Sequence, residues 1–152
     1  MVNESKVNVS FERPDLPAFK ELLKLFAEVF EEPDTYQSAV PSDEYLQSLL
    51  AGDSFIAVAA VTGGKVVGGL AAYVLKKFEQ QRSEIYIYDL AVHQDYRRRH
   101  IATGSINKLR DIAREIGSYV IFVQADIGDD PAIKLYESLG TREDVLHFDI
   151  IP

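Results

Sequence analysis

The sequence predicts a mixed α/β domain, and three observations carry that expectation. Short apolar runs rich in Val and Ile alternate with stretches whose apolar positions recur at helical spacing. Turn and cap residues separate them: Gly63-Gly64 between two apolar runs, Ser42, Asp129 and Asp130 ahead of helical stretches, Gly117 and Gly140 behind them. Several runs are nearly continuous rather than alternating, which fits a sheet covered by helices on both faces.

Taken in order, residues 7–11 alternate polar and apolar as a first strand would. Residues 16–31 place Phe19, Leu22, Leu23, Phe26, Val29 and Phe30 on one helical stripe, and Pro33 stops it. An acidic, tyrosine-bearing loop containing Asp34 and Tyr36 leads to a second helix with Ser42 as its N-cap and Tyr45 in its first turn. Residues 54–61 and 66–75 read as a hairpin closed at Gly63-Gly64. A polar connection, KKFEQQRSE, precedes a further strand at residues 85–92. Ile101, Ile106, Leu109, Ile112, Ala113 and Ile116 define a helix over residues 101–116, with Gly117 as its C-cap. A buried strand at 119–126, a short helix opened by Pro131, and a closing strand at 145–150 complete the order β α α β β β α β α β.

Composition narrows the functional classes. The chain has 152 residues, which suits a single domain over residues 1–152 with one core. It contains no cysteine, which removes disulfides, thiolate metal sites and a cysteine nucleophile. The three histidines, His93, His100 and His147, are scattered, so no metal site is expected. The N-terminus lacks a secretory signal and no apolar run spans a bilayer, so a cytoplasmic protein without a membrane partner is expected. A net charge of −8 disfavours nucleic acid and favours a cationic partner, although solubility alone accounts for many acidic surfaces.

Against that acidic background, the stretch DYRRRHIATGS, residues 95–105, stands out. It joins the strand at 85–92 to the helix at 101–116. A helix N-terminus presents unpaired N–H groups and partial positive charge, and can bind a diphosphate that flanking arginines also contact. Three arginines at that end oppose the helix dipole, and a bound anion supplies a reason for them. The competing reading is a solvated basic loop. Neither GxxxxGK[ST] nor GxGxxG occurs after a strand, which argues against ATP and nicotinamide cofactors.

Arg97-Arg98-Arg99-His100-Ile101-Ala102 resembles the Q/R-x-x-G-x-G/A loop of the GNAT acetyltransferases. AIKLYESLG, with Ala132, Tyr136 and Gly140, resembles that family's A-x-x-x-Y-x-x-x-G helix. The two motifs stand in family order after a strand ending Leu90-Ala91-Val92. From about Leu25 to Ile150 the chain is similar to the type I aminoglycoside 3-N-acetyltransferases, the gentamicin-acetylating branch. The resemblance implies a GNAT fold with a central twisted mixed sheet and splayed fourth and fifth strands. It also implies acetyl-CoA as co-substrate, direct attack by the amine without an acyl-enzyme, a homodimer, and resistance to such antibiotics. Leu90, Ala91 and Val92 would then hold the pantetheine arm, and Arg97, Arg98, Arg99, His100, Ile101, Ala102 and Thr103 the diphosphate. Tyr136 would reprotonate the leaving thiolate. His100 departs from the motif where glycine is usual, and a register ending at Gly104 would restore one.

A polycationic aminoglycoside or polyamine calls for carboxylates. Asp89 interrupts the apolar run IYIYDLAV, where an unpaired charge would be costly. It is a candidate for binding or deprotonating the amine, with a structural hydrogen bond as the competing role. Glu84, expected to be more exposed, is a second candidate base, acting through water. Asp126, Asp129, Asp130 and Asp149, with Tyr36 and Tyr88, are candidate substrate contacts. One of Asp129 and Asp130 is expected to cap the helix that follows. His147 reads as structural, with a base role as the alternative.

Overall fold

A computed structural model describes residues 8–32, 34–35 and 39–152. Tyr36 lies outside them. The chain forms two compact units, Met1–Phe122 and Val123–Pro152.

In the first unit, β1 (Ser10–Glu12) is followed by α1 (Leu16–Val29), whose N-cap Asp15 accepts a bond from Ala18 N at 3.0 Å. The helix buries Phe19, Leu22, Leu25 and Phe26, the stripe that its periodicity requires. It ends two residues before the expected limit. Glu31 turns left-handed (φ 54°), and Glu32 N–H bonds back to the Ala27 carbonyl. Ser42 caps α2 (Asp43–Ala51) by accepting from Tyr45 N at 3.1 Å. β2 (Phe55–Thr62) and β3 (Lys65–Lys76) form the hairpin, with Gly63 and Gly64 both at positive φ, as a two-residue turn demands. β4 (Ser83–Val92) and α3 (Ile101–Ile116) follow, and β5 (Ser118–Val123) runs to the boundary of the unit. Gly117 ends α3 in the left-handed region (φ 78°).

The strands lie in the order β1-β2-β3-β4-β5, the first four antiparallel. Contacts between β4 and β5 advance in the same direction along both strands: Ser83 with Ser118, Glu84 with Tyr119, Tyr86 with Phe122. β5 is therefore parallel to β4, as a helical crossover through α3 requires. Ala57, Ala59, Ala71 and Ala91 pack with α1, while neighbouring Ala60 belongs to a second cluster with Val67 and Ile101 of α3. Adjacent strand residues face opposite sides, so the sheet is covered on both.

Two close approaches seat α3 on this sheet. A Cβ on Gly68 of β3 would lie 2.9 Å from Ile101 Cγ2, the first residue of α3. A Cβ on Gly104 would lie 2.2 Å from the Phe11 ring. Gly104 thus serves to seat β1 against α3 inside a regular helix, which accounts for this glycine without any role in a phosphate turn. β1 itself begins later than the alternation indicated, because its register with Ala59–Val61 of β2 is what defines the strand.

In the second unit, α4 (Asp130–Leu139) is capped by Asp129, which accepts from Ala132 N at 3.4 Å, with Pro131 in its first turn. The strand before it stops at Val123 rather than at residue 126. The polar Gln124-Ala125-Asp126 stretch leads into a turn closed by Asp129 N–H on the Asp126 carbonyl. The strand expected at 145–150 is also corrected: residues 141–152 belong to no helix or strand. Alternation assigns side chains to faces, but a strand exists only beside a hydrogen-bonded neighbour. Among the described residues no helix is long and apolar enough to cross a membrane.

Gly104→Ala should destabilise the protein by about 1–3 kcal/mol through overpacking. Combining it with Phe11→Leu should cost less than the sum of the two single changes. Urea unfolding of the four proteins checks this; strict additivity would show that Phe11 and Gly104 do not press on each other.

Candidate functional site

The centre of the candidate site is an irregularity in β4. Ala72 of β3 pairs with Ile87 and Ala71 with Asp89, so Tyr88 is the extra residue of a β-bulge. Strict alternation would put Asp89 on the Ile85–Ile87 face, among fully buried side chains. The bulge moves it instead to the face of its partner Ala71, which also carries Tyr73 and Tyr86. The carboxylate is thereby half-buried in a polar-aromatic setting rather than sealed in hydrocarbon.

Tyrosines surround this position. Tyr88 meets Tyr73 and Tyr86 edge to face, each at 5.9 Å between ring centres. Tyr86 stacks on Phe122 of β5 at 4.7 Å, and Tyr73 packs on Phe55. Burial raises the pKa of Tyr73, with further contributions from Tyr88, Tyr45 and Asp89. Tyr86 is raised by burial, then by Tyr88 and Asp89. Tyr45, Tyr73 and Tyr86 were not singled out as site residues in the sequence. They come from α2, β3 and β4, and the register of β3 and β4 is what sets Tyr73 opposite Tyr86.

Glu84 is less exposed than expected: its side chain keeps 19 % of its exposure. Its carboxylate accepts the Tyr119 hydroxyl bond and lies 3.6 Å from Lys77 Nζ. That hydrogen bond raises the Tyr119 pKa, and the Arg82 guanidinium covers the Tyr119 ring at 3.8 Å. Glu84 thus helps to fasten β5 alongside β4.

Beyond Asp89, β4 continues through Leu90, Ala91 and Val92 into the arginine loop. His93 N–H bonds the Val67 carbonyl, and the Arg97 Nε donates to the Val92 carbonyl at 3.2 Å, which folds the loop onto the strand end. Arg98 and His100 both have positive φ, 61° and 59°. His100 is the N-cap of α3 in left-handed geometry, and no side chain caps the helix. Arg97, Arg98, Arg99 and His100 are all exposed. An uncapped helix N-terminus flanked by exposed guanidiniums is a site of concentrated positive potential that suits a diphosphate. Histidine occupies the left-handed position usually given to glycine, as its tolerance of positive φ allows. Ala102 and Thr103 lie in the first turn behind it.

The second unit holds the remaining candidates. Tyr136 sits on α4, and burial, followed by the Asp129 charge, pushes its hydroxyl up to about 12. It therefore keeps its proton at neutral pH. Asp129 is the helix cap, Asp130 lies in the first turn, and Asp126 is exposed in the preceding turn. Asp149 pairs with His147 at 2.9 Å. Among the described residues no group of three or more His, Asp or Glu is placed to hold a metal.

Comparison with known proteins places this geometry. Residues 18–141 match the model of the acetyltransferase (GNAT) family. The crystal structure of an aminoglycoside acetyltransferase, HMB0005, from an uncultured soil metagenomic sample superposes with a TM-score of 0.91. It is 51% identical, over 95% of this chain and 99% of that one. A second soil metagenomic aminoglycoside acetyltransferase, meta-AAC0020, solved in complex with sisomicin, gives a TM-score of 0.87 at 36% identity over 95% and 96%. The probable N-acetyltransferase camello of Xenopus laevis is 32% identical over 82 residues. That match spans 54% of this chain and 36% of camello.

The left-handed N-cap makes a stability prediction. His100→Val should lose about 1–2 kcal/mol, since a β-branched residue pays most for αL geometry. His100→Gly should stay within about 1 kcal/mol of the parent. Thermal denaturation of the two variants checks it; equal stability would mean that residue 100 does not hold a positive φ.

Proposed function

Because the chain belongs to the acetyltransferase (GNAT) family, we propose that it transfers acetyl from acetyl-CoA to an amine of an aminoglycoside, the 3-amine. The observation that carries the substrate class is the half-buried Asp89, turned by the β4 bulge onto a face lined by Tyr73, Tyr86 and Tyr88. A carboxylate attracts an ammonium group, and tyrosine rings and hydroxyls suit a cationic, hydroxylated ligand. The 51% identity to an aminoglycoside acetyltransferase supports the same reading, as does the sisomicin complex of meta-AAC0020. The choice of the 3-amine rests on the sequence resemblance alone.

The residues present fit the co-substrate. The uncapped N-terminus of α3, from His100 to Thr103, and the exposed Arg98 and Arg99 would hold its diphosphate, with Arg97 bracing the loop through Val92. Leu90, Ala91 and Val92 would align the pantetheine arm by backbone contacts. The proposed reaction is a direct transfer. Asp89 accepts the proton of the bound ammonium, and the freed amine attacks the thioester carbonyl. A C–N bond forms as the C–S bond breaks; the Tyr136 hydroxyl supplies the sulfur with a proton, and the resulting phenolate takes up the second proton released by the acylated nitrogen. Glu84, occupied by Lys77 and Tyr119, would contribute only through an intervening water. Asp126, Asp129, Asp130, Asp149 and Tyr36 are the further substrate contacts of this proposal, and the net charge of −8 favours any polycation approaching them.

Tyr136→Phe should lower kcat by about 10²–10⁴-fold, with acetyl-CoA affinity changed no more than a few-fold. Steady-state kinetics with isothermal titration separate the two quantities, and an unchanged kcat would remove the proposed acid. Because the phenol deprotonates only at about 12, wild-type kcat should show no Tyr136-dependent decline on the alkaline side until well above neutrality.

Asp89→Asn should raise KM for sisomicin and gentamicin and cut kcat/KM by about 10²-fold or more, on the scale of a lost general base. NMR of the product should show acetylation at the 3-amine. Acetylation at another amine would correct the regiochemistry, and turnover of spermidine but of no aminoglycoside would replace the substrate class.

A further inference from the structure

His93 is a titratable side chain that the proposed reaction leaves unused, and it stands at the junction of β4 and the arginine loop. Its backbone N–H donates to the Val67 carbonyl of β3 at 2.8 Å. Its ring serves the residues that follow. Nδ1 accepts the Asp95 N–H at 3.2 Å, which opens a single 3-10 turn, Gln94–Tyr96. The Tyr96 N–H closes that turn on the His93 carbonyl at 2.9 Å. The side chain keeps 23 % of its exposure, so water competes poorly for these bonds.

The contacts continue toward the arginines. The His93 ring meets the Tyr96 ring edge to face, with centres 5.9 Å apart. The Arg99 guanidinium lies 5.5 Å from the centre of the same Tyr96 ring, within cation–π reach. Tyr96 also packs against the apolar cluster of Ala60, Val67 and Ile101, and Ile101 is the first residue of α3. One imidazole therefore joins the end of β4 to the turn before the arginines and to the ring that carries Arg99.

This geometry requires one protonation state. A backbone N–H can only donate, so Nδ1 must present its lone pair and the ring proton sits on Nε2. A second proton would set Nδ1 and the Asp95 N–H donor against donor. The Asp95 carboxylate, 3.8 Å from Nδ1, then becomes the better partner and draws the ring out of the turn. That same carboxylate offsets the added positive charge, so the protonated ring gains little attraction for an anion. Tyr96 and Arg99 are the other groups on this side of the loop, while Arg97 is engaged with the Val92 carbonyl. β3 contributes the Val67 backbone, and α3 contributes the apolar Ile101.

We infer that His93 is a positioning residue for the co-substrate. Its unprotonated Nδ1 holds the Gln94–Tyr96 turn, and with it the arginine loop, in the arrangement that binds the diphosphate. Acetyl-CoA binding weakens as the ring takes up a proton. The inference rests on the reading of the arginine loop as the diphosphate site.

Titration calorimetry with CoA at about pH 8 and about pH 5.5 spans the range in which an imidazole changes charge. In His93→Asn the carboxamide oxygen can accept the Asp95 N–H at either pH, whereas His93→Leu removes the acceptor; both lack the ring. At the higher pH, His93→Leu should bind CoA about 3–10-fold more weakly than His93→Asn, the scale of one lost hydrogen bond. On acidification the wild type should lose about 3–10-fold relative to His93→Asn. That ratio cancels the titration of the CoA phosphates and of His100, which both proteins share. It also reports by itself if the leucine variant fails to fold. Equal affinities for the two variants, or wild-type binding that holds or tightens on acidification relative to His93→Asn, would overturn the inference. Arg99→Ala separates it from the reading beneath it. If Arg99→Ala weakens binding while the His93 comparisons show nothing, the role of His93 fails and the diphosphate site stands. If Arg99→Ala binds CoA as the wild type does, both fall.

Discussion

The bulge at Tyr88 is the constraint on which the candidate chemistry depends. A two-residue repeat cannot bury Ile87 on one face and Ala91 on the other, because the two positions are four residues apart. The extra residue changes the parity. It keeps Ile85 and Ile87 sealed on one side, brings Ala91 against α1 on the other, and leaves Asp89 between them in a setting where a charge is tolerable. Removing the bulge with Ile87 kept in place would bury that carboxylate in hydrocarbon and turn Ala91 out of the α1 cluster. Packing and chemistry are therefore tied to one backbone irregularity.

The same strand leads into the positive loop, and the packing beyond it sets where that loop points. Gly68 and Gly104 allow Ile101 and Phe11 to approach more closely than any side chain would permit, which holds the first turn of α3 against the sheet. Arg97 adds a tether to the Val92 carbonyl. With its start held in this way, α3 presents an uncapped N-terminus at the end of β4. The left-handed His100 is the local cost of that geometry, and it leaves the other guanidiniums exposed. An acidic protein so builds a concentrated patch of positive potential at the end of the strand that carries Asp89, which suits the reaction proposed between an anionic and a cationic substrate.

The regular elements were largely legible from residue pattern. α3 occupies the span given by its apolar periodicity, Ser42 and Asp129 cap the helices they precede, and Gly63-Gly64 closes the hairpin. The arginine loop and Tyr136 became candidates through paired motifs, each lying within one chain segment. The tyrosine wall did not, because Tyr73 and Tyr86 become neighbours only through the register of β3 and β4. The strand at 145–150 was misjudged for a related reason: its alternation is real, but the hydrogen-bonded neighbour that makes a strand is not encoded in the segment itself.

By itself the sequence determined what depends on neighbours along the chain: helix periods, caps, turns and the presence of a basic loop in an acidic protein. Only the tertiary structure decided which face Asp89 occupies, why Gly104 is glycine, and how far Glu84 is drawn into the β4–β5 contact. Each of those follows from register and close approach between elements distant in sequence, and a one-residue shift in register would have reversed the first of them.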